Sequence, residues 1–123
     1  DDAVANLTAG VVCLYSGGTG NPYFSTDSAA ALRAIETRCD VLIKGTKVDG
    51  VYDSDPVKNP SATKFLQITY EEVLRRNLGV MDLVAITLCR DNRMPLKVLS
   101  LAEPGNLLKA CSGAATGTDV IES

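Results

Sequence analysis

The chain has 123 residues, 46% of them hydrophobic and 22% charged, which is enough for one modest domain with a real core. A net charge of -3 argues against a nucleic-acid surface, and no stretch nears the roughly 18 apolar residues that a membrane span needs. Histidine is absent, which removes Ser-His-Asp and Cys-His catalysis together with the commonest metal ligand.

Residues 1–10 read as the end of a helix, with Ala3, Val4 and Leu7 on one face and Gly10 as its stop. A continuous apolar run, Val11 to Tyr15, then reads as a buried parallel strand. It breaks into Ser16-Gly17-Gly18-Thr19-Gly20-Asn21-Pro22, and a helix restarts at Asp27, taken as its cap, and runs to about Arg38. Ligands of open α/β sheets bind at the carboxyl ends of strands. Three glycines within four residues let backbone N–H groups approach an anion, and Thr19, Ser25 and Thr26 add hydroxyls. Alone, this loop reads rather as a plain strand–helix connection than as a phosphate site, since it is neither G-x-G-x-x-G nor a P-loop.

Asp40 to Lys44 is a second short strand. Asp49-Gly50 follows as a turn signal, a candidate hairpin between Lys47-Val48 and Val51-Tyr52. Residues 53–64 carry two prolines and many turn formers, and read as an exposed loop. Thr69 and Glu72 make a capping box, with Ile68 and Val73 placed as a staple, for a helix ending by Gly79. Asp82 caps another helix, to about Asn92. Leu96 to Leu101 is a strand, Leu107 to Cys111 a short helix, Gly113 to Thr118 a loop of small residues, and Asp119 to Ile121 a last strand. The alternation predicts α/β architecture with a mainly parallel sheet. Cys13 and Cys39 read as buried free thiols, and the spacing of all four cysteines excludes a C-x-x-C metal pair, so a reduced compartment is expected.

The second loop shifts the balance at the first. Lys44, Thr46, Lys47 and Asp49 cluster where the second strand ends; if the two strands are neighbours, both polar loops open on one sheet edge, and two cations beside a glycine-rich turn suit a polyphosphate. Either lysine alone is as well explained as a solvated strand end. Tyr52 could stack on a base or cover the core edge. Asp55 could accept from a ribose hydroxyl or start the turn before Pro56. Asp27 could help position a phosphate-bound Mg²⁺ or serve only as a helix cap.

Gly18 to Ala30, beginning G-T-G-N-P-Y-F-S-T-D, resembles the nucleoside-monophosphate loop of bacterial-type UMP kinase, of the amino-acid-kinase superfamily. Lys44-Gly45-Thr46-Lys47-Val48-Asp49-Gly50-Val51-Tyr52 with Asp55-Pro56 resembles that family's ATP loop. Thr69-Tyr70, Val80-Met81-Asp82-Leu83 and Pro104-Gly105-Asn106-Leu107 extend the likeness over nearly the whole chain. Members are roughly twice this length. The resemblance therefore implies one partial domain over residues 1–123, the C-terminal half of a three-layer αβα sandwich.

The activity implied is transfer of the γ-phosphoryl of ATP to UMP, with Mg²⁺. UMP would be held by Thr19, Gly20, Asn21, Pro22, Tyr23, Phe24, Ser25 and Thr26. ATP would be held by Thr46, Tyr52 and Asp55, while Asp27 and Lys47 lie near the reacting phosphates. No residues are assigned as a protein-borne metal site. The family's N-terminal half carries a further glycine-rich loop with a phosphate-gripping lysine, so these residues alone are expected to have little or no activity. Members are usually hexamers with allosteric control, placed in the cytoplasm, or in a plastid. The alternative reading is a non-catalytic nucleotide-binding or oligomerisation module on the same half-fold. Alone, the half would expose surfaces that the other half covers and is expected to associate.

Overall fold

The structure, a computed structural model, describes residues 2–15 and 25–122. Its elements in chain order are α1 (Asp2–Thr8), α2 (Thr26–Glu36), β1 (Leu42–Thr46), β2 (Val51–Tyr52), β3 (Lys64–Phe65), β4 (Gln67–Thr69), α3 (Tyr70–Arg76), α4 (Leu83–Asp91), β5 (Leu96–Ser100), α5 (Asn106–Cys111) and β6 (Thr118–Ile121). They form two compact units, Asp1–Leu42 with Met81–Met94, and Ile43–Val80 with Pro95–Ser123. Among the described residues no helix is long and apolar enough to cross a membrane.

In the first unit α2 packs on α4. Small residues make this possible: Ala29, Ala31 and Ala34 are buried on α2, and Ala85, Ile86 and Cys89 on α4. The caps lock the pair at one end. Ser25, not the expected Asp27, is the N-cap of α2, its hydroxyl accepting from Ser28 N–H at 3.1 Å. Asp27 sits inside the first turn, where a carboxylate faces the positive helix end. Asp82 caps α4 as expected, accepting from Ala85 N–H at 2.9 Å. It also takes the Ser25 hydroxyl and, at 3.4 Å, that of Ser28.

The expected opening strand, Val11 to Tyr15, is not a strand. Val12 is 87% exposed and Leu14 96%. A strand exists only through its ladder, and none of the described strands pairs with this stretch. Cys13 is accordingly half-buried rather than buried, and Cys39 is exposed. Cys39 lies past the end of α2, where its N–H closes the helix on the Ala34 carbonyl at 3.0 Å. Helical spacing therefore no longer carries it to the packed face. The same closure delays β1, which starts at Leu42 rather than Asp40.

In the second unit a four-stranded open sheet has the order β1-β5-β6-β4. β4 runs parallel to β6, and β5 antiparallel to it. β1 and β5 end side by side, Leu101 N–H donating to the Thr46 carbonyl at 3.0 Å, so they run the same way. The sheet is thus mainly parallel and the architecture α/β. Leu96, Leu99 and Val120 are fully buried in it, beside Ile68, Tyr70 and Val73. The register sets Lys97 opposite Asp119, and their side chains pair at 2.8 Å.

Thr69 caps α3 as expected, accepting from Glu72 N–H at 3.1 Å, and both staple residues, Ile68 and Val73, are buried. The hairpin across Asp49-Gly50 is absent. β2 pairs instead with β3, Val51 opposite Phe65 and Tyr52 opposite Lys64, so the closing connection is the long loop after Tyr52. Lys47 to Gly50 form bends. Their turn is made locally by Thr46, whose hydroxyl accepts from Val48 N–H at 2.8 Å and donates to the Val48 carbonyl at 2.7 Å.

Candidate functional site

A cleft of about 620 Å³ opens in the second unit, a volume suited to a small molecule. Thr46 and Val48 form its wall at the end of β1, Gly50 to Tyr52 continue it, and the loop from Asp53 to Pro56 makes a rim. Arg76, the last residue of α3, and the following residues to Val80 complete the lining, with Val98 of β5. The cleft therefore lies at a strand end, where open α/β sheets take their ligands.

Each wall has a local cause. Lys44 donates to the Val80 carbonyl at 2.7 Å, tying β1 to that part of the lining. Thr118 of β6, fully buried, fastens the β2–β3 ribbon: its hydroxyl accepts from Val51 N–H at 2.9 Å and donates to the Phe65 carbonyl. Tyr52 donates its hydroxyl to Asp49 at 2.7 Å. Asp55 accepts from Val57 N–H at 2.9 Å, and Asp53 from Thr63 N–H at 2.9 Å, so the two carboxylates organise both ends of the loop. Arg76 lies 5.6 Å over the Phe65 ring and pairs with Glu72 at 2.8 Å. Chiefly through its hydrogen bond from Arg75, and through Arg76, the Glu72 carboxyl is held below its usual value.

The three residues expected to hold ATP, Thr46, Tyr52 and Asp55, thus line one cleft. Lys47 is exposed and is not part of the lining. Thr19, Gly20, Asn21, Pro22, Tyr23 and Phe24 lie outside the described residues. Ser25, Thr26 and Asp27 open α2 in the first unit, where Asp27 accepts from Asp82 N–H at 3.3 Å. That unit has its own largely apolar pocket, about 410 Å³, between Leu14, Tyr15 and the Ala30–Ala34 side of α2. The wall made by Arg76 to Val80 was not foreseen from the sequence. Its one local signal is Asn77, which ends α3 in the left-handed conformation (φ 52°) that asparagine tolerates.

An open, mainly parallel sheet with a cleft at its strand ends places the chain among open-sheet α/β proteins. The amino acid kinase family model matches residues 2–100, and the chain belongs to that family. It is 58% identical over 121 residues to the uridylate kinase of Stutzerimonas stutzeri, a match covering 98% of this chain and 49% of the relative. The crystal structure of UMP kinase from Bacillus anthracis superimposes with a TM-score of 0.96 at 36% identity, covering 99% of this chain and 50% of that one. The crystal structure of UMP kinase from Ureaplasma parvum gives 0.91 at 37% identity, covering 98% and 52%. The chain thus spans about half the length of the relatives it matches.

Proposed function

We propose that this chain is the ATP-side part of a UMP kinase, an enzyme that moves the γ-phosphoryl of ATP to UMP. The observation that carries the reading is the convergence of Thr46, Tyr52 and Asp55 on one cleft, in a chain 58% identical to a uridylate kinase. Phosphoryl transfer asks for alignment and charge neutralisation more than for a strong base, so a chain without histidine loses nothing essential.

In this reading Tyr52 offers a ring to the adenine base. Asp55 offers a carboxylate to a ribose hydroxyl. Lys47, at the mouth of the turn after β1, supplies positive charge to the phosphates. The segment from Thr19 to Thr26 takes UMP, with Asp27 beside the reacting groups. Mg²⁺ arrives on the triphosphate, whose charge it neutralises. Among the described residues no three acidic, cysteine or histidine side chains cluster as a metal cage. Assembly into a homo-oligomer and a cytoplasmic location belong to the same proposal.

The test is in two parts. The complete protein is expected to form ADP from ATP only when UMP is present, whereas residues 1–123 alone bind MgATP with little turnover. UMP-dependent ADP formation at normal enzyme rates by residues 1–123 alone would overturn the assignment of half the machinery to elsewhere. ATP binding without turnover by the complete protein would favour the non-catalytic module instead.

A further inference from the structure

We propose that Asp49 and Lys64 are positioning residues that hold the Tyr52 ring as a stacking wall, making the cleft selective for a nucleotide's base over a bare polyphosphate. This deepens the nucleotide reading above and rests on it.

The geometry is a three-membered clamp. The β2–β3 register sets Tyr52 directly opposite Lys64. Asp49, three residues before Tyr52, uses one carboxylate oxygen for each: Oδ1 accepts from the Tyr52 hydroxyl at 2.7 Å, and Oδ2 lies 3.6 Å from Lys64 Nζ. Tyr52 lines the cleft, whereas Asp49 and Lys64 do not. The clamp therefore holds Tyr52 by its hydroxyl through two residues that do not themselves line the cleft.

Gly50 makes the grip possible. A Cβ on Gly50 would stand 3.0 Å from Lys64 Cδ and 3.3 Å from Cγ, so its absence leaves the path that the lysine stem takes. An exposed ion pair contributes little stability by itself, and the side chains of Lys64 and Asp49 are 31% and 49% exposed. Its use is geometric. A ring already fixed at its far end loses less freedom when a base stacks on it, which is how preorganisation strengthens binding. The phosphate end of a ligand gains nothing from that ring.

Calorimetric titration of the complete protein with MgATP and, separately, with Mg-tripolyphosphate tests this, with the melting temperature of each variant measured alongside. Asp49→Ala and Tyr52→Phe are each expected to weaken ATP binding roughly three- to tenfold and to leave tripolyphosphate binding unchanged. The double variant should be no worse than either single one. Asp49→Asn keeps an acceptor for the Tyr52 hydroxyl but loses the charge that pairs with Lys64, so it should recover only part of the loss, and Lys64→Met should weaken ATP binding by the remainder. Full recovery by Asp49→Asn with Lys64→Met unchanged would overturn the role of Lys64. Unchanged ATP affinity in both single variants overturns the proposal and leaves the nucleotide reading standing. Equal losses for ATP and tripolyphosphate mean that the cleft itself has collapsed, and also overturn it. A complete wild-type protein that binds neither probe overturns the nucleotide reading, and the proposal with it.

Discussion

Gly50 packs against the Thr118 side chain so closely that a Cβ on it would fall 2.5 Å from Thr118 Oγ1. The hydroxyl cannot retreat, because it bridges Val51 N–H and the Phe65 carbonyl. Gly50→Ala should therefore destabilise the second unit by about 1–3 kcal/mol, the usual cost of overpacking a closed site. Urea unfolding reads this directly. An unchanged midpoint would mean that the backbone beside the cleft has another path open to it.

That close approach shows what the sequence could and could not convey. Asp49-Gly50 has the composition of a hairpin turn, yet the glycine is there to admit Thr118 and Lys64, which lie far along the chain. Local caps were legible because their chemistry is local: Thr69 and Asp82 each reach an N–H three residues on. Ser25 was missed in favour of Asp27 because both residue types cap well, and only the backbone decides which comes first. The cleft's β-side wall followed from the cluster after Lys44. Its other part, Arg76 to Val80, meets that cluster only through tertiary folding, which no spacing rule encodes. The run from Val11 to Tyr15 has a strand's composition without a partner's ladder.

The Tyr52–Asp49 bond should stand across a wide pH range. The Tyr52 hydroxyl, with Lys64 assisting, holds the Asp49 carboxyl below its usual value, although burial acts the other way. A depressed carboxyl contributes stability above its unfolded value, about 4, and loses that contribution as pH falls through its lower folded value. The same bond, with burial and the Asp49 charge, holds the Tyr52 phenol above its usual value. A raised phenol contributes below about pH 10 and loses that as pH rises through its higher folded value. From pH 5 to 9 the bond should not change. The ¹³Cζ signal of Tyr52 should report ionisation at a higher pH in the wild type than in Asp49→Ala. Coincident titrations would show that the bond does not form in solution.

Asp82 joins the starts of two helices. Burial alone would raise its carboxyl, but the hydrogen bonds from Ser25, Ala85 N–H, Ser28 and Val84 N–H outweigh it and hold the group below its usual value. Stability from this group is therefore present above about pH 4 and is lost as pH falls through the lower folded value. Asp82→Ala removes the α4 cap and leaves the buried Ser28 hydroxyl without that acceptor. A loss of about 1–2 kcal/mol is expected. Asp82→Ser should restore part of it by capping alone. Equal denaturation midpoints for Asp82→Ala and wild type would show that the cap contributes nothing.

Two arginines occupy positions that suit glycine. Arg38 (φ 58°) and Arg93 (φ 54°) follow α2 and α4 in the conformation that Gly10 (φ 87°) and Gly113 (φ 83°) adopt after α1 and α5. The hydrogen bonds match as well: Cys39 N–H reaches the Ala34 carbonyl at 3.0 Å, as Val11 N–H reaches that of Asn6 at 2.9 Å. An L side chain there costs roughly 1 kcal/mol. Arg38→Gly should thus stabilise the chain by up to about 0.5 kcal/mol after the extra freedom of glycine in the unfolded chain is subtracted. Thermal unfolding that shifts downward would show that Arg38 makes a compensating contact.

The apolar run before the first loop has the opposite problem. Val11, Val12, Leu14 and Tyr15 are 50%, 87%, 96% and 49% exposed, and none of the described strands pairs with them. An exposed apolar stretch outside any ladder of the described strands can join another chain edge to edge. Residues 1–123 in isolation are therefore expected to associate as concentration rises. Replacing Val12, 87% exposed and outside the lining of the α2 pocket, by lysine should suppress association while leaving the melting temperature within a few degrees. Light scattering across a dilution series, beside a thermal scan of the variant, separates the two effects. A lysine at position 12 that lowers the melting temperature sharply would mean that this stretch is packed in solution.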